Sequence, residues 1–234
     1  MDILCVIPAR SGSKRVLNKN MAVVGGKPML WWTIQAALGA GLHPWVSSES
    51  DEILAYASNN GALTLRRPLE LAADTSSTES VLLHALGAAE RKPWVMTLPP
   101  TSPLRTAATI QKVLHTPRGD AEALMTVTDY RGDLWQRCGS FLTRLQPAAP
   151  RRQQEREPLW EENSAVYLTN TMSLYTSQSV LGYGNVIGVP ISRQEAWDVN
   201  DPLDLLVADA LLRQKQQAPA NRAEVAVLAS AMYK

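Results

Sequence analysis

Residues 3–20 read ILCVIPARSGSKRVLNKN: an apolar run from Ile3 to Pro8 that breaks into a loop carrying Arg10, Ser11, Gly12, Ser13, Lys14, Arg15, Lys19 and Asn20. Dense positive charge at the carboxyl end of a first strand suits a polyanion held at the crevice of an open α/β sheet. A nucleoside triphosphate is such a polyanion. The spacing is neither the Walker pattern nor the dinucleotide fingerprint, because a single glycine stands where those loops need two or three. Neutralisation therefore falls to the side chains of Arg10, Lys14 and Lys19. Taken alone, the residues leave open a second reading, a solvated basic loop.

Working outward, apolar residues recur at helical spacing from Pro28 to the stop at Gly39 and Gly41. HPWVSS (43–48) reads as a strand, DEILAYASNNG (51–61) as a helix with acidic residues at its start, and ALTL (62–65) as a strand. A helix over 78–90, a strand at PWVMTL (93–98), a helix at ATIQKVLH (108–115) closed by Pro117, and a strand at ALMTV (123–127) continue the alternation. The pattern predicts an α/β, Rossmann-like, mostly parallel sheet with helices on both faces and a cleft at the carboxyl ends of the strands.

From about 130 to 162 the alternation fails. The stretch is rich in Arg, Gln and Pro, with β-like pieces such as SFLTRL, and reads as a mobile flap or an arm for subunit contact. SAVYLTN (164–170) and NVIGVPI (185–191) resume strand character around a short helix at 171–177. NDPLDLLVADALLRQ (200–214) is a final helix with Asn200 or Asp201 as its cap and Pro202 in its first turn. The expected organisation is one domain over 1–213 with an inserted arm, then a linker and tail over 214–234.

Composition fits that reading. The chain has 234 residues, 45% of them hydrophobic and 19% charged, enough for one generous domain with an arm. A formal charge of +1 supplies no global field for nucleic acid or an anionic membrane, so anion binding must be local. Cys5 and Cys138 have no metal-ligand spacing and read as reduced thiols of a cytoplasmic protein. No basic leader precedes the first strand, and no apolar run approaches the ~18 residues of a membrane span. His43, His84 and His115 show neither triad nor metal spacing.

Five further segments carry candidate chemistry: VSSESDEI (46–53), RPLELAADTSSTES (67–80), LPPTSPLR (98–105), RRQQEREP with ENSAVY (151–167), and WDVNDPLD (197–204). Strand-like alternation in the last puts Asp198 and Asn200 on one face. Each segment also has a plain structural reading as a helix cap, loop corner or solvated charged stretch.

With IPARSGSK and KN at the front, these segments in this order resemble the CMP-N-acylneuraminate synthetase family, which includes legionaminate and pseudaminate cytidylyltransferases. The resemblance spans most of the chain. It implies transfer of CMP from CTP to the anomeric hydroxyl of a nonulosonic, sialic-type acid with release of pyrophosphate, Mg²⁺ as cofactor, and a homodimer formed through the arm. Alternatives are an octulosonate cytidylyltransferase and a nucleotide-binding homologue without turnover. The resemblance assigns Ala9, Arg10, Ser11, Gly12, Ser13, Lys19, Asn20, Arg67 and Thr78 to the nucleotide, with Arg67 at the pyrimidine carbonyl and Asp74 holding its loop. Thr101, Ser102, Arg105, Arg152, Gln153 and Asn163 fall to the sugar. Arg10, Lys14, Lys19 and Asp198 fall to catalysis, and Asp198 with Asn200 to the metal. The chain departs from the family at Glu49 and Asn200, where it has aspartate, at Pro99, where it has glutamine, and at Ser164, where it has glycine.

Overall fold

The computed structural model describes residues 2–89 and 91–232, with side chains described up to 217. In chain order the strands are β1 (Ile3–Pro8), β2 (Val23–Val24), β3 (Lys27–Pro28), β4 (Trp45–Ser48), β5 (Leu63–Arg66), β6 (Trp94–Thr97), β7 (Ala123–Tyr130), β8 (Trp135–Cys138), β9 (Phe141–Arg144), β10 (Leu159–Asn170) and β11 (Val186–Pro190). The helices are α1 (Met29–Gly39), α2 (Asp51–Asn59), α3 (Thr78–Ala88), α4 (Ala107–His115), α5 (Thr171–Ser177) and α6 (Pro202–Met232).

Seven strands form one sheet in the order β11-β7-β10-β6-β1-β4-β5. All neighbours are parallel except β10, which runs antiparallel to both β6 and β7. The chain leaves β1 toward β4 on one side and returns to β6 on the other, so the strand order reverses at β1. Ligands of open α/β sheets bind outside the carboxyl ends of strands at such a reversal, and the basic loop begins there.

Period-two alternation sorts the core. Cys5 and Ile7 of β1, with Met96 of β6, face the layer that holds Leu30, Ile34, Ile53 and Ile110. Leu4, Val6 and Val95 face the other layer, with Leu82, Leu86 and Leu174. A third cluster packs α6 against the β2–β3 hairpin through Val24, Leu104, Ala208 and Leu212. The hairpin turn is Gly25-Gly26, both left-handed, and a Cβ on Gly25 would sit 2.7 Å from Leu212 Cβ. The Gly25 amide donates to Asp209 (2.7 Å) and the Trp32 indole to the Val24 carbonyl (2.8 Å), so the hairpin fixes α6 and the 197–201 segment ahead of it.

Two expectations change here. The irregular segment is shorter than 130–162, because β10 begins at Leu159 and pairs with β7 from Leu159↔Tyr130 to Glu162↔Val127. The arm, residues 131–158, is thus the elaborated tip of a β7–β10 ribbon and carries its own hairpin, β8 with β9. Helix α6 also runs on past Gln214, where the Gln, Ala and Pro suggest a linker; Gln and Ala are also good helix formers.

Candidate functional site

Two clefts open at the carboxyl end of the sheet. The first, about 480 Å³, is lined on one wall by Arg10, Ser13, Lys14, Arg15, Lys19 and Asn20, and on the other by Arg67, Leu71, Asp74 and Thr78. Pro99, Pro100 and Thr101 close its floor. The second, about 450 Å³, is lined by Tyr130, Glu161, Glu162, Asn163, Ser164, Arg193, Trp197, Asp198, Asn200 and Asp204, among others. Val199 separates them: its carbonyl accepts from Lys19 Nζ (2.8 Å) and its amide donates to the Thr101 carbonyl (2.8 Å).

The walls of the first cleft are tied by charge. Asp74 bridges Arg10 (2.7 Å) and Lys14 (2.6 Å), and these cations hold its carboxyl below the ordinary carboxylate value. Asn20 is buried and donates to the Arg10 carbonyl (2.8 Å). Burial depresses the Lys19 ammonium, an effect Asp198 opposes. Thr78 opens α3 just after its cap, Ser77, which accepts from the Ser80 amide (3.1 Å). Leu71 and Val81 add apolar surface.

Behind that cleft lies a contact the sequence did not disclose. Glu49 follows β4 and Arg67 follows β5, and the parallel register Ser48↔Arg66 sets them side by side. Arg67 donates to Glu49 Oε2 through Nη2 (3.1 Å) and Nε (3.3 Å), while Glu49 Oε1 accepts from the Ser11 amide (2.7 Å) and hydroxyl (2.8 Å). Both ionised side chains are nearly shielded from solvent, at 3% and 7% exposure. Burial pushes the Glu49 carboxyl up, but the Ser11 and Arg67 donors outweigh it and hold the group below its ordinary value. Of Ser48 and Ser50, the two cap candidates in this segment, Ser50 caps α2.

In the second cleft the Asp198 carboxylate accepts from the Asn200 side-chain Nδ2 through Oδ2 (2.7 Å), while its Oδ1 is buried without a partner among the described residues. Asp201 rather than Asn200 caps α6, accepting from the Leu203 (2.8 Å) and Asp204 (3.0 Å) amides, and Asp204 returns the contact to the Asn200 and Asp201 amides. The Asn200 carbonyl oxygen is thereby left for other use. Across the cleft, β10 shifts register between Glu162 and Tyr167, and Ser164 takes the left-handed conformation (φ 59°) in that bulge. Asn163 Oδ1 accepts from Thr126 (2.6 Å), leaving a buried Nδ2 unpaired beside the cleft. Among the described residues no group of three or more His, Cys, Asp and Glu could hold a metal by itself.

Several expected site residues lie elsewhere. Arg105 is 3% exposed and donates to the Ala165 carbonyl (2.6 Å), the Pro99 carbonyl (3.2 Å) and Thr33 (2.8 Å). Among the described residues it meets neither cleft nor any carboxylate, and it braces the β10 bulge; burial pulls the guanidinium down to about 10. Ser102 is buried under the same turn. Ala9 is also buried, its amide donating to Ser47, and Ser11 is committed to Glu49, so of 9–13 only Arg10 and Ser13 line the first cleft; Gly12 does not. Arg152 and Gln153 sit on an exposed turn of the arm, with Arg152 paired to Glu155 (3.2 Å), and line neither cleft. The buried arginine of the arm is Arg156, which binds Asp133 (2.7 Å) and the carbonyls of Pro150, Arg131 and Arg151.

A family model described as cytidylyltransferase matches residues 4–186. The CMP-N,N'-diacetyllegionaminic acid synthase of Legionella pneumophila is 28% identical over 232 residues, covering 93% of this chain and 99% of that protein. The N-acylneuraminate cytidylyltransferase of Escherichia coli is 40% identical over 110 residues, 46% of this chain but only 26% of that longer protein. Among solved structures, a CMP:2-keto-3-deoxy-manno-octonic acid synthetase complexed with CTP superimposes with a TM-score of 0.68 at 18% identity, covering 91% of this chain and 99% of the other. At that identity the likeness is one of fold.

Proposed function

The chain belongs to the cytidylyltransferase family, and from that premise we propose that it transfers CMP from CTP to the anomeric hydroxyl of a nonulosonic, sialic-type acid. The observation that carries this reading is the convergence of Arg10, Lys14 and Lys19 at the reversal of the strand order, with Arg67 and Thr78 on the facing wall. The cations neutralise the triphosphate, and Arg67 and Thr78 meet the base. Arg67 Nη1 makes no hydrogen bond among the described residues, and a guanidinium can donate to the O2 and N3 acceptors of cytosine, which uracil's protonated N3 does not match.

The second cleft takes the acid sugar, with Thr101 at the boundary and the unpaired Asn163 amide as a donor. The sugar hydroxyl attacks the α-phosphorus and gives up its proton to solvent, a new P–O bond forms, and the α–β bridging bond breaks to release pyrophosphate. No histidine lines either cleft; positioning and charge carry the rate. The buried, unpaired Asp198 Oδ1 and the adjacent Asn200 carbonyl suit one hard cation shared with phosphate oxygens. Mg²⁺ bound there would offset charge on the α-phosphate and the departing pyrophosphate. Lys19, hydrogen-bonded to Val199 next to Asp198, adds a fixed positive charge at the same junction.

The chain pairs with a second copy through the arm, whose Leu134, Trp135, Phe141, Leu142 and Leu145 are exposed; sedimentation at micromolar concentration as a monomer would refute this. Free Cys5 and Cys138 suit a reducing cytoplasm. The functional test is pyrophosphate release from CTP with Mg²⁺ against a panel of neuraminic, legionaminic, pseudaminic and octulosonic acids. Release with a nine-carbon acid is expected. Turnover of the octulosonate alone, or CTP binding without any turnover, overturns the reading.

A further inference from the structure

We propose that Glu49 is a positioning residue that couples recognition of the nucleotide base to the grip on its phosphates. This rests on the reading that the first cleft holds CTP with Arg67 against the base. One carboxylate touches both halves of that cleft: Oε2 anchors Arg67 through two donors, and Oε1 anchors the amide and hydroxyl of Ser11, the residue next to Arg10.

Arg67 needs such an anchor. It is a buried cation with Glu49 as its one ion-pair partner among the described residues, and burial lowers the pKa of its guanidinium while Glu49 raises it. With Nε and Nη2 both on Glu49, the fork cannot rotate, and its third nitrogen keeps a fixed direction. The Ser11 contacts set the start of the basic loop by the same carboxylate, so displacing the loop disturbs the arginine and the reverse. A shorter aspartate reaches less far, which gives the glutamate at this position a reason. Gln in its place can still accept from Ser11 through its carbonyl oxygen, but its amide donors face Arg67 and cannot hold it.

Calorimetric titration of the full chain with CTP, UTP and pyrophosphate, each with Mg²⁺, tests this without knowledge of the sugar. The unsubstituted protein should favour CTP over UTP; if it binds both alike, the CTP reading itself fails and the coupling falls with it. Given that preference, Glu49→Gln should shrink the CTP:UTP affinity ratio by about tenfold, the loss of one charge-assisted hydrogen bond. Arg67→Ala should shrink the ratio similarly, and Glu49→Gln added to Arg67→Ala should shrink it no further. Pyrophosphate binding should weaken in Glu49→Ala, which frees Ser11, and weaken less in Arg67→Ala, which leaves the Ser11 contacts in place. Should Glu49→Gln not fold by circular dichroism, Glu49→Asp, which keeps the charge at shorter reach, should give an intermediate ratio. An unaltered ratio in whichever of these variants folds, or an equal further loss on the Arg67→Ala background, overturns the proposal.

Discussion

The first cleft and the arm are built from the same currency, arginines paired with carboxylates, but they differ in what fixes the pairs. In the cleft, β-sheet register does it: Pro8↔Ser47 and Ser48↔Arg66 bring the ends of β1, β4 and β5 together, so Ser11, Glu49 and Arg67 meet although they are far apart in sequence. In the arm, one carboxylate does it. Asp133 accepts from Arg144 (2.6 Å) and Arg156 (2.7 Å), and the guanidiniums of those arginines also gather the carbonyls of Pro147, Ala149, Pro150, Arg131 and Arg151. A site framed by a sheet inherits its geometry from topology, whereas a long insertion must supply its own knot.

That contrast is broken most severely at Arg10. Replacing it by alanine removes the guanidinium that holds one face of the loop and, on the proposed reading, one of the three cations on the triphosphate. The expected fall in kcat/KM for CTP is on the order of 100-fold, comparable to loss of a charge-stabilising donor in other active sites. Pyrophosphate release measured at several CTP concentrations checks it. An unchanged rate would mean that the cleft does not serve the phosphates.

Next in size is Asp198→Asn. It keeps the shape but removes the carboxylate whose Oδ1 has no partner, so the Mg²⁺ concentration for half-maximal activity should rise by about tenfold. A Mg²⁺ titration of initial rates reads this directly. Since Asn200 brings no charge, little remains in the pair to compensate.

The same comparison explains what the sequence discloses. Hydropathy periodicity and the position of the basic loop are local signals, and they yield β1, the alternation and the cleft at its carboxyl end. The Glu49–Arg67 pair is invisible locally because it exists only once β4 and β5 are in register. Arg105 and Arg10 have identical chemistry in sequence, yet one is spent on the carbonyls of Pro99 and Ala165 and the other faces the cleft. Within RRQQEREP nothing in the residue types separates Arg152 from Arg156; only the position of Asp133 decides that Arg156 turns inward. Ser164 is legible in retrospect, because a place that favours glycine has φ 59°.

Asp133→Asn tests whether the arm is an independent knot. The change should make the 131–158 segment several-fold more susceptible to limited proteolysis while leaving CTP affinity unaltered. The Asp133 carboxyl is held below its ordinary 3.8 by Arg144, with Arg156 adding to it. A group depressed in this way favours the folded arm at any pH above its ordinary value, and the contribution is lost as pH falls through the depressed value. Protection in the unsubstituted protein should therefore be flat between pH 5 and 8 and fall only in stronger acid. Loss of CTP binding together with the arm would show that the two regions are coupled.

Smallest of all is Arg152→Ala. Its side chain is 80% exposed and among the described residues pairs only with Glu155 on the same turn, and a surface substitution of this kind changes stability by less than about 0.5 kcal/mol. Among the described residues of this chain neither cleft contains Arg152, so the KM for CTP should move by less than about twofold. The sugar KM makes the sharper measurement. If it rises about tenfold or more, a loss of the size expected for a charge-assisted hydrogen bond, while the CTP value holds, the arginine must reach an acceptor cleft that its own chain does not bring near. A second copy, docked through the exposed Trp135 and Phe141, would be the means by which the arm's geometry enters the site.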